Sequence, residues 1–159
     1  MEKFTKNLMY CAIGASGLVL CSFCTFKILA DEALYLERKL TEHYDISQEG
    51  PDIIRYELQV TNTGFCRYKR HFADGKTDYF SFNTLKFKKL DYSGTTKSGR
   101  LFLYTIKDDV IVQTFNDNNG DIDSMATYLV IPLKDIKSAD LADLTEKFRQ
   151  LHLRLQSPQ

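Results

Sequence analysis

The segment whose spacing comes nearest to phosphate chemistry is Gly94-Thr-Thr-Lys-Ser-Gly99. Its two glycines are spaced as in a phosphate-binding loop, but Arg100 and Leu101 stand where that loop needs Lys and Ser or Thr. Such a loop also binds phosphate at the N-terminus of a following helix, whereas the residues after Gly99 have the pattern of a strand. The sequence therefore predicts a turn between two strands, and not a nucleotide site.

A second candidate is the acidic segment Asp117-Asn-Asn-Gly-Asp-Ile-Asp123, whose side-chain oxygens could bind calcium. A calcium loop that begins at Asp117 requires Gly at its sixth position and Glu at its twelfth. Ile122 and Tyr128 occupy those positions. We therefore expect a solvated turn here, with weak calcium binding as the alternative.

Sulfur and imidazole chemistry is poorly supported by the positions of the residues. Cys21 and Cys24 have the spacing of a redox or zinc pair, but together with Cys11 they lie in an apolar run, where thiols stay protonated. Cys66 is the one cysteine outside that run. The three histidines lie in separate segments and are each expected at the surface: His43, His71 and His152. The sequence thus predicts no enzyme, no metal site and no cofactor.

Residues 8–26 carry no charged side chain. A helix of nineteen such residues is about 28 Å long, close to the roughly 30 Å hydrocarbon core of a bilayer. We interpret residues 1–30 as an uncleaved membrane anchor. A cleaved signal peptide is the alternative, although the best cleavage site, after Ala30, would place Ile28 where a small residue is preferred.

The charges on either side of this run predict its orientation. Lys3 and Lys6 precede it and Asp31 and Glu32 follow it, so we expect the N-terminus on the matrix or cytoplasmic side. The rest of the chain would then lie in the intermembrane space or periplasm. Small residues within the run would let a second membrane helix approach closely, and we expect such contact at Ala12, Gly14, Ser16 and Gly17.

The remaining residues suffice for one domain, which we predict to be α+β. Residues 31–52 are interpreted as an amphipathic helix and linker that ends at Gly50-Pro51, with its apolar face formed by Ala33, Leu34, Leu36, Leu40 and Tyr44. Residues 53–159 are interpreted as an antiparallel meander of about six strands followed by a C-terminal helix. The strands are expected over residues 54–60, 65–72, 79–90 with a break near Asn83, 100–106, 110–115 and 125–133.

Three details of this domain are specific enough to check. Lys107-Asp-Asp109 is predicted to be the turn of a hairpin, and Pro132 indicates a strand at the edge of a sheet. The C-terminal helix should span about residues 139–155 with Ser138 as its N-cap. Its apolar face should pack on the sheet through Leu141, Leu144, Phe148, Leu151 and Leu155.

Charge is balanced over the chain but unevenly spread. The 159 residues carry 21 basic and 21 acidic side chains, yet residues 53–107 hold eleven basic residues against four acidic ones. Aromatic residues among basic strands could form a platform for nucleic acid, but their alternation favours packing in the sheet, so we expect no nucleic-acid partner. We expect contact with acidic partners at Arg67, Lys69, Arg70, Lys86, Lys88 and Lys89.

The order of these features resembles the cytochrome c oxidase assembly factor 1 family, which is related to the small accessory subunit of the mitochondrial presequence translocase. The resemblance rests on a short membrane span, a helix with Leu34-Tyr35, the Gly50-Pro51-Asp-Ile53 break, and a two-glycine turn that leads into Arg-Leu-Phe-Leu103. The acidic segment after Phe115 and the long C-terminal helix depart from that family. The resemblance implies a single-pass protein, in the mitochondrial inner membrane in preference to a bacterial envelope, that assists the assembly of a respiratory or translocase complex.

The sequence thus favours a membrane-anchored accessory protein that works by docking on a larger membrane complex. One alternative is an anchored or exported module that binds a ligand or lipid, similar to pleckstrin-homology-like domains with a sheet and a C-terminal helix. Another is an exported immunity or surface protein of a bacterium.

Overall fold

A computed structural model describes residues 29–157 of the chain. The predicted anchor over residues 1–30 lies outside this part except for its last two residues, and so do the predicted helix-contact residues Ala12, Gly14, Ser16 and Gly17. None of the helices in the described part is both long and apolar enough to cross a membrane. The described part of the chain is an α+β domain, as predicted.

The first helix, α1, covers residues 29–43 in the described part. Its buried side chains recur every three or four residues, so one face of the helix enters the core: Leu29, Ala33, Leu36 and Leu40. Leu34 was predicted on this face but is exposed. It follows Ala33 directly, which turns it about 100° away from the buried face.

The helix ends earlier than the predicted break at Gly50. Tyr44 pairs with Leu133 in an isolated β-bridge, and the Asp45 N–H donates to the Pro132 carbonyl at 3.0 Å. The Asp45 carboxylate then accepts from the Ser47 N–H at 3.2 Å, which starts the 3-10 turn Ile46–Glu49. The backbone leaves the helix at Tyr44 because a strand edge supplies its hydrogen bonds.

Within residues 29–157, eight antiparallel strands form two sheets. The five-stranded sheet has the order β1-β2-β3-β6-β7 and the three-stranded sheet the order β4-β5-β8. The strands are β1 Ile53–Val60, β2 Phe65–Phe72, β3 Thr77–Asn83, β4 Phe87–Gly94, β5 Ser98–Thr105, β6 Val110–Phe115, β7 Asp123–Ala126 and β8 Tyr128–Lys134.

The two sheets are halves of one bent meander. β3 continues through a 3-10 turn into β4, and both pair with the strand made of β6 and β5: Ser81 pairs with Ile111 on one side of the bend and Phe87 with Thr105 on the other. β7 continues into β8 at Thr127, and the two pair with β6 and β5 along the other side of that long strand. The chain therefore forms five long antiparallel strands in sequence order, and the last three cross from one sheet into the other.

The bend corrects two predictions. The predicted hairpin at Lys107-Asp-Asp109 is wrong, because β5 and β6 do not pair with each other. They lie end to end along one long strand, and residues 106–109 are an insert between them at the bend. The predicted strand over residues 125–133 is divided into β7 and β8, so the meander has eight strand segments instead of about six. The break near Asn83 is confirmed by the 3-10 turn Thr84–Lys86, and the sheet edge at Pro132 by the outer position of β8.

The C-terminal helix, α2, spans Ser138–Gln156. Its predicted apolar face is confirmed: Leu144, Phe148 and Leu151 are buried, with Leu141 and Leu155 partly buried beside them. The N-cap is Lys137 and not Ser138, because Asp140 accepts from the Lys137 N–H at 3.4 Å and the helix already includes Ser138. One hydrophobic cluster takes side chains from both helices and both sheets.

Polar contacts join the two helices side by side. The Lys39 ammonium lies 3.2 Å from the Asp140 carboxylate, Tyr35 donates to Asp143, and the Arg154 guanidinium lies 3.1 Å from the buried Glu32. Residue numbers rise along α1 as they fall along α2, so the helices are antiparallel. This pairing places the start of α1 beside the end of α2.

The turn between β1 and β2 yields a stability prediction at Gly64. This residue has φ of +86°, and a Cβ placed on it would overlap Leu155 Cδ1 and lie 2.7 Å from Thr84 Oγ1. We expect Gly64→Ala to lower the free energy of unfolding by about 2 to 4 kcal/mol, through both backbone strain and displaced packing. Denaturant unfolding of the purified protein measures this value.

Gly75 supplies the matched control for that substitution. It has a similar φ of +92°, but a Cβ there would meet nothing within 4 Å. Gly75→Ala should therefore cost only the backbone strain, about 1 to 2 kcal/mol. Equal losses in the two variants would contradict the packing of α2 on the Gly64 turn.

Candidate functional site

The glycines of the phosphate-loop-like segment serve a hairpin between β4 and β5, as predicted. The Thr95 N–H donates to the Ser98 carbonyl at 2.9 Å, and Gly94 has φ of +147°. A Cβ on Gly99 would overlap the hydroxyl group of Tyr92. Both glycines are therefore required by the close approach of the two strands.

The acidic segment after β6 is held by bonds within the protein. The Asp117 carboxylate accepts from the Asn119 N–H at 2.9 Å and lies 3.0 Å from the Lys76 ammonium, and both interactions lower the pKa of Asp117. The Asp121 carboxylate accepts from the Asp117 N–H at 2.9 Å. Within residues 29–157, no three His, Cys, Asp or Glu side chains are grouped as a metal would require.

The structure also locates the imidazole and thiol groups. Burial raises the pKa of the Cys66 thiol to about 12, so it stays protonated at neutral pH. His43 was predicted at the surface but is buried beside the Lys134 carbonyl, 3.1 Å from its Nδ1. His152 is half-buried, with Nδ1 2.8 Å from the Thr84 carbonyl oxygen, and His71 is half-buried on the outer face of β2. These contacts join structural elements and bring together no catalytic set in the described part of the chain.

The six basic residues predicted to bind partners lie in three places. Arg67 and Lys69 project from β2 on the outer face of the five-stranded sheet, away from the core. Lys86, Lys88 and Lys89 are exposed on the 3-10 turn after β3 and on β4. Arg70 lies on the inner face, because it shares the parity of the buried residues Cys66 and Tyr68.

Arg70 forms a buried ionic network on that inner face. Its guanidinium lies 2.6 Å from the Glu49 carboxylate and 2.5 Å from that of Asp78. The side chains of Glu49 and Asp78 are only 9% and 7% exposed. Tyr68 donates to Glu49, and the Tyr44 and Tyr68 hydroxyl groups are 2.7 Å apart. The network fastens the 3-10 turn Ile46–Glu49 to β2 and β3, so the predicted role of Arg70 in binding a partner is replaced by a role in the fold.

The outer face of the five-stranded sheet holds a charged groove of about 370 Å³. We define the charged groove by its lining residues, which come from β1, β2, β3 and β6: Glu57, Gln59, Arg67, Lys69, Tyr79, Gln113 and Phe115. Lys69 lies 3.7 Å from Glu57 and 5.8 Å from the centre of the Tyr79 ring. Arg67 donates to the Gln59 amide oxygen at 3.3 Å. These cations are held in place across the strands but stay open to solvent.

Glu57 is the acidic residue in the charged groove. Desolvation alone would raise the pKa of its carboxylate, but a hydrogen bond from His71 and the nearby charges of Lys69 and Arg55 lower it. Glu57 therefore stays ionised and partly neutralises the cations beside it. Arg67, which makes no ion pair within the described residues, carries most of the remaining positive charge.

The outer face of the three-stranded sheet carries an aromatic patch formed by Phe102, Tyr104 and Tyr128. The ring centres of Tyr104 and Tyr128 are 5.3 Å apart, and those of Phe102 and Tyr128 are 5.8 Å apart. The Lys89 ammonium lies 4.7 Å from the centre of the Tyr104 ring. Tyr128 is exposed and the other two rings are half-buried. Aromatic rings in contact at a surface are typical of binding sites.

The sequence analysis did not predict this patch, because it expected the aromatic residues to pack within the sheet. The alternation of residues along β5 is a signal that could have revealed it. Phe102 and Tyr104 alternate with Leu101 and Leu103, so only one of the two pairs can face the core. The structure buries the leucines and turns the aromatic rings outward. The partner strand matches them, since Tyr104 pairs with Tyr128 and Phe102 with Val130.

Comparison of the chain with models of protein families, with curated proteins and with solved structures finds no match.

The buried network yields a prediction that separates stability from binding. Arg70→Met keeps the apolar stem but leaves the buried Glu49 carboxylate without its cation and the Asp78 carboxylate with only the Lys76 ammonium, 3.5 Å away. We expect it to lower the free energy of unfolding by about 3 kcal/mol, since an uncompensated buried charge is strongly destabilising. Denaturant unfolding at neutral pH measures the loss.

The exposed pair of Lys89 and Asp91, 2.5 Å apart, is the control for that experiment. Lys89→Met should cost less than about 1 kcal/mol, because water solvates both partners of a surface ion pair. A loss at Arg70 no larger than the loss at Lys89 would show that the network is not needed for the fold.

Proposed function

We propose that this chain is a single-pass, membrane-anchored and non-enzymatic accessory protein that docks on a larger membrane complex. The observation that carries the proposal is the outer face of the bent sheet. No other element of the described part of the chain covers it, and it holds the charged groove on one half and the aromatic patch on the other.

The composition of this face supports a protein partner. Along the last two long strands, three outward pairs around the bend are apolar or aromatic: Ile111 with Met125, Tyr104 with Tyr128, and Phe102 with Val130. The outward pairs beyond them include polar residues, such as Gln113 with Asp123. The strands at the other side of the face carry Arg67, Lys69 and Glu57. Protein interfaces commonly combine an apolar centre rich in Tyr and Phe with a charged rim, and Arg is enriched in them.

The proposed location follows from the N-terminal sequence. The uncharged run over residues 8–26 and the charges beside it support an anchor with the domain in the intermembrane space or periplasm. The resemblance to the cytochrome c oxidase assembly factor 1 family supports a role in the assembly of a respiratory or translocase complex. Docking then requires only surface complementarity and no chemical step.

The docking proposal predicts that the protein co-purifies from its native membrane, in mild detergent and at low salt, with a larger complex. The double variant Arg67→Glu, Lys69→Glu should reduce recovery of that complex by about tenfold or more, because it reverses the charge of the groove. Tyr104→Ser should also reduce recovery by removing the centre of the aromatic patch. Quantitative mass spectrometry of the co-purified subunits measures both effects.

The control is Lys97→Glu, Lys137→Glu, which makes the same charge change on exposed residues in a hairpin turn and at the start of α2, outside the outer face of the sheet. It should leave recovery unchanged. A protein that stays monomeric in mild detergent at low salt, or a complex recovered equally with all the variants, would overturn docking through this face.

The volume of the groove favours a second candidate function. About 370 Å³ is within the range of small-ligand sites, and Arg67 and Lys69 would suit an anionic ligand. An anchored ligand- or lipid-binding module would then show a saturable rise in its thermal midpoint with glycerol 3-phosphate, lost in the Arg67→Glu, Lys69→Glu variant. The absence of such a rise would exclude this small phosphate and leave docking as the better account.

A further inference from the structure

The described chain begins at the end of the domain where three other segments meet. Leu29 is buried in the core, and one turn later Glu32 pairs with Arg154 at 3.1 Å. The next residue of α2, Leu155, lies against Gly64 in the turn between β1 and β2. The Gly64 carbonyl accepts from the Thr84 N–H at 2.7 Å, which brings in the 3-10 turn Thr84–Lys86.

We call this surface the proximal end. It is formed by the start of α1, the end of α2, the Gly64 turn, the 3-10 turn Thr84–Lys86 and the insert of residues 106–109. The His152 Nδ1 lies 2.8 Å from the Thr84 carbonyl oxygen, which joins α2 to the 3-10 turn. The Ile106 N–H donates to the Lys86 carbonyl at 2.9 Å, which joins the insert to the same turn. The bend in the sheet thus brings the insert to the same end as the start of α1.

The proximal end combines exposed apolar side chains with cations. Leu85 is 37%, Ile106 55% and Leu153 46% exposed. Lys86 and Lys88 are exposed beside them, and neither forms an ion pair with another residue of the described part. Asp108 and Asp109 are the acidic residues of the insert, next to Lys107. Apolar side chains with Lys beside them are the chemistry that binds the interface of an anionic bilayer.

The distance along the chain ties this end to the proposed anchor. The uncharged run ends at residue 26, three residues before Leu29, and three residues span at most about 10 Å. Lys97 and Asp135, 3.0 Å apart, lie beyond the opposite end of α1, where His43 meets Lys134. The fifteen described residues of α1 extend about 22 Å, which separates the two ends.

We propose that the proximal end is a lipid-facing surface that rests on an anionic bilayer, with Lys86 and Lys88 at head-group phosphates and Leu85 and Leu153 in the interfacial layer. The inference rests on the membrane anchor of the proposed function and adds the orientation of the domain. It also names an anionic lipid as the partner of Lys86 and Lys88, for which the sequence predicted contact with acidic partners. The charged groove and the aromatic patch remain available to the protein partner.

The absence of tryptophan from the chain gives a direct test. Full-length Leu85→Trp is reconstituted in phosphatidylcholine vesicles with about 30% phosphatidylserine, with and without bromine on the upper acyl chain of the lipids. Bromine quenches tryptophan at short range, so the emission of Leu85→Trp should fall by about a third or more. Leu153→Trp is a second reporter at the same end, in case the first variant does not fold. Thr96→Trp, in the exposed hairpin turn beside Lys97, is the matched control and should lose less than about a tenth.

Charge reversal tests the lysines. In the Leu85→Trp protein, Lys86→Glu with Lys88→Glu should reduce the quenching by at least about twofold, whereas Lys97→Glu with Lys134→Glu should leave it unchanged. Equal quenching in the two double variants would overturn the proposed head-group contact. Quenching of the Leu85→Trp protein that is equally strong in vesicles with and without phosphatidylserine would overturn it too.

The outcomes separate this inference from the anchor. A chain that alkaline carbonate removes from the vesicles would disprove the membrane anchor itself. A chain that resists extraction, but whose Leu85→Trp and Leu153→Trp are quenched no more than Thr96→Trp, would overturn the lipid-facing surface and leave the anchor intact.

Discussion

The hydrogen bonds around Thr105 hold the bend on which the rest of the domain depends. Its N–H donates to the Thr127 carbonyl at 2.9 Å, and its buried hydroxyl group lies 2.7 Å from the Lys107 carbonyl oxygen and 3.0 Å from that of Thr127. A bend interrupts the regular ladder between strands, and buried backbone groups without a partner are costly. Thr105 supplies partners at the point where two of the long strands change sheet. The two halves of the meander can then close on one hydrophobic cluster together with the helices.

The same bend determines where charged, aromatic and apolar side chains are exposed on the surface of the domain. The half of the meander that includes β1 and β2 exposes alternating charged residues, while the other half exposes aromatic rings on β5 and β8. The insert at the bend places Ile106 beside Lys86 at the proximal end. A flat five-stranded sheet would have spread these features along one face. The bent sheet instead holds the charged groove and the aromatic patch on the two halves of its outer face and places the basic, apolar proximal end beside the bend.

Local patterns in the sequence correctly predicted features that depend on neighbouring residues alone, such as the buried face of a helix or a break in a strand. The spacing of Leu144, Phe148 and Leu151 defined the buried face of α2, and the change of parity at Asn83 located the break between β3 and β4. Parity along β2 also separates Arg70 from Arg67 and Lys69, although a count of basic residues had grouped the three together. Here the signal was present and was outweighed by composition.

Features that depend on contacts between residues far apart in the chain could not be predicted from the sequence. A charged segment such as Lys107-Asp-Asp109 between two apolar runs has the composition of a hairpin turn and equally of an insert at a bend. Only the partners of β5 and β6 distinguish the two, and those partners lie in β3, β4, β7 and β8. The burial of His43 likewise depends on the Lys134 carbonyl, 91 residues away in the chain. Alternation in a strand gives two faces but does not say which face meets the core, so the aromatic patch required the fold.

The way α1 is held bears on how an anchor would act on the domain. α1 is buried along one face and joined to α2 near both of its described ends, by Glu32 with Arg154 and by Lys39 with Asp140. A span that ended at residue 26 would therefore be separated by only two residues from Leu29, which belongs to a helix fixed within the core, and would not lead into a long flexible linker. Tilt of the anchor would be transmitted to the sheet through these helix contacts. The charged groove and aromatic patch would stay at a defined height above the bilayer, which favours a partner whose binding surface also lies close to the membrane.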